Sequence, residues 1–475
     1  MSSYEAVIGL EVHAQLSTQS KLFCGCATAY GAPPNTHVCP TCLGLPGALP
    51  VANARAVEYA VRMGLATHCT IADESVFARK NYFYPDCPKN YQISQFDTPL
   101  CSGGHLTVAG KRIGITRIHL EEDAGKLIHA DGDHSFVDMN RSGVPLIEIV
   151  SEPDLRTPEE AGEYLQKLRA TVRYLDICNG NMEEGSLRCD VNVSVREAGN
   201  EALGVKAEVK NLNSFKQVEQ AIAFEYTRQI GVLEDGGSVA HDTLLWDEAS
   251  NSARIMRSKE ESHDYRYFPE PDLLILHTDA GMRERVRAEL PELPGAREER
   301  FAKEYGIPAY DAAVLTASRE VADYFEAVAA KAGDAKAASN WVMGEVLREL
   351  KERRISISAY RVTPEVLGEL IQIQLSGKIN MPTAKDVLVE MLVSGQSAAE
   401  IISEKGLEQI SDDSAIEKAA VKILNTNADE VEKYLGGREQ LLQFFVGQLM
   451  KATRGKANPK MATEIFQRLL EVRRG

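Results

Sequence analysis

Ile8-Gly9-Leu10-Glu11-Val12-His13-Ala14-Gln15-Leu16 alternates apolar and polar side chains along its length. A period of two belongs to a half-buried strand, with Glu11 and His13 on one face and Leu10 and Val12 on the other. A carboxylate and an imidazole two residues apart on a strand can share a hard cation, or hold an acid beside a base. Taken alone, the segment also reads as the wet side of an ordinary antiparallel sheet. Three later stretches bear on the choice.

Thr116-Arg-Ile-His-Leu-Glu-Glu-Asp-Ala-Gly-Lys126 places Arg117, His119 and Glu121 on one strand face. The run Glu121-Glu122-Asp123 at its end would repel itself unless solvated or neutralised by a cation. Ser186-Leu-Arg-Cys-Asp-Val-Asn192 aligns Arg188, Asp190 and Asn192, and Val205-Lys-Ala-Glu-Val-Lys210 aligns Lys206, Glu208 and Lys210. A solvated face explains any one of these strands. Four of them, each mixing acids and bases over small apolar residues, look more like a site. Oxygen ligands suit magnesium, which keeps waters and bridges nucleotide phosphates. Arg and Lys on neighbouring strands can neutralise phosphate charge during transfer. The residues therefore point to magnesium- and ATP-dependent phosphoryl transfer. No Walker-type lysine loop and no Gly-x-Gly-x-x-Gly fingerprint is present, so ATP would sit on the sheet.

Cys24-Gly-Cys26 and Cys39-Pro-Thr-Cys42 form two close pairs at zinc-knuckle spacing. Four thiolates close a tetrahedral structural site and leave no open catalytic position. The alternative is four incidental reduced cysteines. Arg79 to Gln92 carries two lysines and three tyrosines besides the arginine, and reads equally as part of a site or as an interface segment.

Strand-rich texture runs to about residue 275, interrupted by helical stretches near 53–66, 157–175 and 214–230. Few strands alternate with helices, which favours an α+β fold with an antiparallel sheet. Beyond the Pro-rich joint at 289–295 the periods become helical, at 320–331, 337–353 and 363–375, and the texture shifts again near Gly406. The expected divisions are 1–292, a helical domain at 293–405 and a small helical tail at 406–475. Net charge is −16, which excludes an indiscriminate nucleic-acid coat. Residues 436–475, however, hold eight Lys/Arg against three Asp/Glu. Arg438, Lys451, Arg454, Lys456 and Lys460 are candidate phosphate contacts for RNA, or else a solvated basic face. No apolar run reaches membrane-spanning length and the start is no signal peptide, so a soluble cytoplasmic protein is expected.

Val7-Ile-Gly-Leu-Glu-Val-His13, Lys80-Asn-Tyr-Phe-Tyr-Pro85, His119-Leu-Glu-Glu-Asp-Ala-Gly-Lys126, Pro145-Leu-Ile-Glu-Ile-Val-Ser-Glu-Pro-Asp154 and Asp264-Tyr-Arg-Tyr-Phe-Pro-Glu-Pro-Asp272 resemble the B subunits of tRNA-dependent aspartyl/glutamyl amidotransferases, the GatB family. The resemblance spans essentially the full chain. It implies a cradle with a fold similar to glutamine synthetase, and a heterotrimer with an amidase-type A subunit and a small C subunit. It further implies ATP- and magnesium-dependent activation of Glu on tRNA(Gln) or Asp on tRNA(Asn), followed by attack of ammonia. Carried over by motif, His13, Glu11, Glu122 and Glu121 match metal positions. Arg188 and Asp190 would stand beside phosphates, with Lys206, Glu208 and Lys210 on the adjoining strand. Lys80 and Lys89 match the region lining an ammonia route, and the tail is implied to meet the tRNA. The zinc cysteines fit only part of the family. A competing reading is a zinc-knuckle RNA-binding scaffold without catalysis. A third is a magnesium-dependent ligase acting on a free small molecule.

Overall fold

The alternation at Ile8–Leu16 is realised as the long central strand of a nine-stranded sheet. The computed structural model describes residues 4–129, 134–258, 265–408, 413–453 and 457–474. It divides into two compact units, Met1–Ala296 and Arg297–Gly475.

In the first unit, β1 (Tyr4–Gln15), β2 (Lys111–Glu122), β3 (Pro145–Ser151), β4 (Leu187–Glu197) and β5 (Ala207–Leu212) form the middle of the sheet. Their spatial order is β5-β4-β1-β3-β2. Asp242–Asp247 and Ser252–Ser258 extend one side, Cys101–Val108 and Thr70–Ile71 the other. These pairings are antiparallel apart from β5 with Asp242–Asp247, which is parallel. Ile8, Leu10, Val12 and Ala14 share the core with Ile118, Leu120, Ile147, Ile149, Val191 and Val193. That single parity on every strand gives the sheet one apolar face.

Three helices cover that face: α1 (Ala54–Ala66), α2 (Pro158–Tyr174) and α3 (Phe215–Glu234). Each starts where a polar side chain captures free amides. Asn53 accepts from Arg55 and Ala56, Thr157 from Glu160 with Pro158 in the first turn, and Ser214 from Gln217. On the opposite parity lie Glu11, His13, Glu148, His119, Glu121, Arg188, Asp190 and Glu208, in register across the strands. A three-stranded sheet, Phe268–Pro269 with Ala78–Asn81 and Tyr91–Ser94, abuts this charged side, where Ser94 donates to Glu121.

The second unit is helical throughout its described residues and has two hydrophobic clusters. One is centred on Phe325, Trp341, Leu370 and Leu388, the other on Phe445, Leu449, Phe466 and Leu470. The stretch expected as one helix at 337–353 is continuous from Ala335 to Arg353, but its turn Val342–Val346 widens to π geometry. In the tail, expected to be helical, one helix runs from Leu441 to Ala452. No helix among the described residues is long and apolar enough to cross a membrane.

Candidate functional site

Antiparallel register builds the charged cluster. His13 on β1 lies opposite Arg188 on β4 and Glu148 on β3, and Glu148 lies opposite His119 on β2. Glu121, two residues further along β2, completes the group. His13 Nε2 stands 3.2 Å from Glu148 and 3.5 Å from Glu121, while His119 Nε2 is 3.7 and 3.8 Å from the same two carboxylates. Glu121 and Glu148 are buried. Two buried carboxylates this close are costly unless cations compensate them.

The surrounding charges show how that cost is met. Burial opposes a charge on His13, but the Glu148 hydrogen bond and the two carboxylates outweigh it and raise the imidazole. Burial would raise Glu121 and Glu148, yet the imidazoles and Lys80 hold both below the usual carboxylate range. Lys80 is pushed up to about 12, since Glu121, Tyr267 and Glu148 overcome its burial. Its ammonium also sits 5.2 Å from the centre of the Tyr265 ring.

One atom each from His13, Glu121 and Glu148 lies within 4.8 Å of the others. An imidazole and two acidic oxygens fit a hard divalent cation that keeps waters in its remaining positions. Two of the four sequence-derived metal residues, His13 and Glu121, fall in this group. Glu148 joins His13 and Glu121, whereas Glu11 accepts a 2.9 Å hydrogen bond from Asn192 and Glu122 is directed elsewhere. Glu148 is the sole acid in the apolar run Pro145-Leu-Ile-Glu-Ile-Val-Ser151. A lone charge in a buried strand is the signal that could have singled it out.

A second set adjoins the first. Arg188 pairs with Asp123 at 3.1 Å, and Asp123 also accepts from Gln15 at 2.8 Å. Burial would raise Asp123, but Arg188 and Arg141 keep its carboxyl low. Arg188 Nε is buried without a hydrogen-bond partner among the described residues. Lys210 bridges Asp190 and Glu208 and its ammonium is raised by both, against its burial. Lys206, expected in line with them, lies one residue before β5 and is exposed.

Glu122 has the parity of Leu120 and so points away from Glu121. There it is bound by Lys89 and accepts from the Ile93 amide at 2.9 Å. It lines a cavity of about 130 Å³ together with Lys89, Tyr91, Phe23, Lys21, Cys24 and Cys42. The two sequence-derived lysines therefore serve different neighbours, Lys80 the imidazole–carboxylate cluster and Lys89 the carboxylate behind it.

Cys24 and Cys42 of the four-cysteine group line the same cavity. Sulfur atoms of Cys24, Cys26, Cys39 and Cys42 all lie within 4.8 Å of one another. Tetrahedral zinc with four thiolates holds its sulfurs about 3.8 Å apart, which falls inside that bound. The Cys39 amide donates to Cys42 at 3.2 Å. Hydrogen bonds from Cys24 and Cys39, with the charge of Lys21, bring Cys42 down to about 4. Cys24 is driven upward, chiefly by the same Cys24–Cys42 contact. That contest over protons is what a shared cation would relieve. None of the nine cysteines is in a disulfide; the other five, Cys69, Cys87, Cys101, Cys178 and Cys189, are buried.

In the tail, Arg438, Lys451 and Lys460 are exposed. Arg454 and Lys456 lie outside the described residues.

Two family models match the chain. One, described as the GatB/GatE catalytic domain, covers residues 6–284; the other, described as the GatB domain, covers 323–470. The chain is 57% identical over 473 residues to the B subunit of the aspartyl/glutamyl-tRNA(Asn/Gln) amidotransferase of Chlorobium phaeobacteroides (strain BS1), covering 99% of this chain and 100% of the relative. Identity to the B subunit of the same name from Moorella thermoacetica is 55% over 474 residues, at 98% and 100% coverage. For that from Solidesulfovibrio magneticus it is 54% over 475 residues, at 99% and 100%.

Proposed function

The chain belongs to the GatB/GatE family, and on that premise we propose that it is the B subunit of a glutamine-hydrolysing aspartyl/glutamyl-tRNA amidotransferase. It activates the side-chain carboxylate of Glu on tRNA(Gln), or of Asp on tRNA(Asn), by phosphorylation from ATP. Ammonia released by an amidase-type partner then replaces the phosphate, with a small third protein completing the assembly in the cytoplasm. The observation that carries this reading is the meeting of His13, Glu121 and Glu148 from three strands within 4.8 Å, on a chain alike to such subunits over its whole length.

A carboxylate resists attack by ammonia because oxide would have to leave; transfer of a phosphoryl group to its oxygen makes phosphate the leaving group. Catalysis of that transfer is mostly electrostatic. His13, Glu121 and Glu148 would hold a magnesium ion, which supplies positive charge against phosphate oxygens when bound. Arg188 is held in place by Asp123, and Lys210 by Asp190 and Glu208, so both cations are fixed before substrate arrives. Such preorganisation spares reorganisation in the transition state. Lys80 keeps its proton and offsets the charge of the two buried carboxylates. Lys89 and Glu122 border the cavity through which ammonia is proposed to pass. The four-cysteine site is proposed to hold a structural zinc, and the basic residues Arg438, Lys451 and Lys460, with Arg454 and Lys456, to contact tRNA phosphates.

A non-catalytic RNA scaffold would leave the imidazole–carboxylate cluster, an expensive arrangement to fold, without a purpose. The test is a Glu148→Gln variant assembled with its partner subunits and supplied with Glu-tRNA(Gln), Asp-tRNA(Asn), glutamine and ATP. Amide formation on tRNA should be lost while glutamine hydrolysis persists. Undiminished amide formation would overturn the reading.

A further inference from the structure

Lys21 is completely buried beside the four cysteines, and no step proposed above uses it. Its ammonium donates to the His37 carbonyl at 2.7 Å, the Met139 carbonyl at 3.3 Å and Cys42 Sγ at 3.5 Å. An ammonium has three donors, so all are spent. Hydrogen bonds to neutral carbonyls satisfy its protons and leave its charge unbalanced, and a buried charge without an anion is costly. Two carboxylates line the same cavity, and each is already engaged, Glu122 by Lys89 and Asp272 by Arg79 at 3.2 Å. The acidic group in contact with the ammonium is the sulfur of Cys42, itself buried.

Electrostatics at the cysteines asks for the same partner. Four thiolates around a divalent ion leave an excess of about two negative charges in a poorly solvated place. Each cation packed against a sulfur lowers that excess. We propose that Lys21 is the built-in counter-charge of the four-cysteine metal site, so that ammonium and metal stabilise one another. The proposal rests on the reading of that site as a zinc centre.

The position of Lys21 gives this pairing a reach beyond the knuckle. Its backbone amide donates to the Cys26 carbonyl at 2.9 Å, and its ammonium joins His37, in the knuckle, to Met139. Gly143 is packed between the Lys21 stem, Cys42 and Glu122; a methyl group there would lie 3.4, 3.5 and 3.8 Å from them. Lys21 therefore ties the metal site to the 139–143 turn that borders Glu122.

The test compares full-length wild type, Lys21→Met and Lys21→Arg for zinc affinity, by chelator competition under reducing conditions, and for melting temperature with and without zinc. Lys21→Met should weaken zinc by about 10- to 100-fold, the usual cost of losing a group that supports metal ligands, and Lys21→Arg by much less. The melting temperature of Lys21→Met should fall in the loaded protein and stay level or rise in the metal-free one, because an unbalanced buried charge has been removed. Zinc affinity within about twofold of wild type overturns the proposal, being far below the loss expected for a supporting group. So does an equal melting loss in both states, which marks a packing role. Should Lys21→Met not fold, wild type decides. Lys21 should resist amine acylation when loaded and react once zinc is stripped, and equal reactivity overturns the proposal. A wild-type chain that takes up no zinc overturns the metal reading itself, and this proposal with it.

Discussion

Two clusters in the first unit are built to attract cations, and they are assembled in opposite ways. The four cysteines come from one short segment, Cys24 to Cys42, folded back by its own turns. His13, Glu121 and Glu148 come from three strands and meet through antiparallel pairing alone. On the proposed function, soft sulfur ligands with every position filled would make the first a structural clamp, and hard ligands with positions left over would make the second a place for phosphate oxygens. Their neighbours differ accordingly. The knuckle carries one buried lysine against its excess negative charge. The sheet cluster is ringed by His119, Lys80, Arg117 and Arg188, with cations enough to meet a polyanionic substrate. The lesson is that a locally built site can be spent on stability, while a site assembled by the whole sheet inherits the sheet's rigidity and can be spent on chemistry.

The sharpest way to break this contrast is Glu148→Gln. Losing one carboxylate from the open cluster should cut amide formation about 100-fold or more, as removal of transition-state charge stabilisation does, with little change in melting temperature. If stability fell and activity did not, the two clusters would have exchanged roles. The reciprocal change, Cys39→Ser, should act on stability first. A loss of about 3 kcal/mol or more is expected by denaturant unfolding, in the upper range for single substitutions, together with loss of bound zinc. An unchanged unfolding midpoint would remove the structural assignment.

Gly44, two residues past the last knuckle cysteine, packs against Lys89 and sharpens the comparison. It has φ +67°, and an added methyl group would fall 2.5 Å from Lys89 Cγ. Gly44→Ala should cost about 1–3 kcal/mol, through strained backbone and a crowded contact. It should also disturb the Lys89–Glu122 pair while leaving zinc content intact. A variant that lost zinc instead would place Gly44 among the knuckle's own requirements.

The smallest effect is expected where a charge cluster is complete without any ion. In the second unit Glu326 is bound by Arg300 at 2.7 Å, by Arg297 and by Tyr305 at 3.0 Å. Burial opposes its ionisation, but Arg300, Arg297 and Tyr305 together hold its carboxyl below the usual range. A depressed carboxylate contributes stability that is present above its unfolded pKa of about 4.3 and is lost as pH falls through the folded value. Glu326→Gln should therefore flatten the acid side of the stability profile by about 1 kcal/mol or less, and change nothing near neutrality beyond that amount. A metal-dependent difference between Glu326→Gln and wild type would contradict the self-sufficiency of this cluster.

Much of the sheet was legible because its signal is local. Alternation at Ile8–Leu16, Arg117–Glu121 and Arg188–Asn192 assigns each side chain a face, and the faces stand as expected. The helical stretch expected near 157–175 is α2, Pro158–Tyr174, behind its Thr157 cap. Legibility failed where a residue's neighbours depend on register. Glu121 and Glu122 are adjacent acids and looked interchangeable, yet strand parity sends one to His13 and the other to Lys89. Lys206 shares the parity of Glu208 but lies just outside the strand, so its periodicity carries it nowhere. Glu148 drew no notice within an apolar run until pairing set it opposite His13.

By itself, then, the sequence determined the two-faced strands, the capped helices and the cysteine knuckle, because each is specified by contacts among residues close in the chain. Only the tertiary structure decided which carboxylates join His13, which cation faces which acid, and that Lys21 comes to rest against Cys42. Those outcomes depend on the order and register of strands that lie far apart in the chain, as His13 and Glu148 do, and a slip of one residue would turn every charge in the cluster into the core.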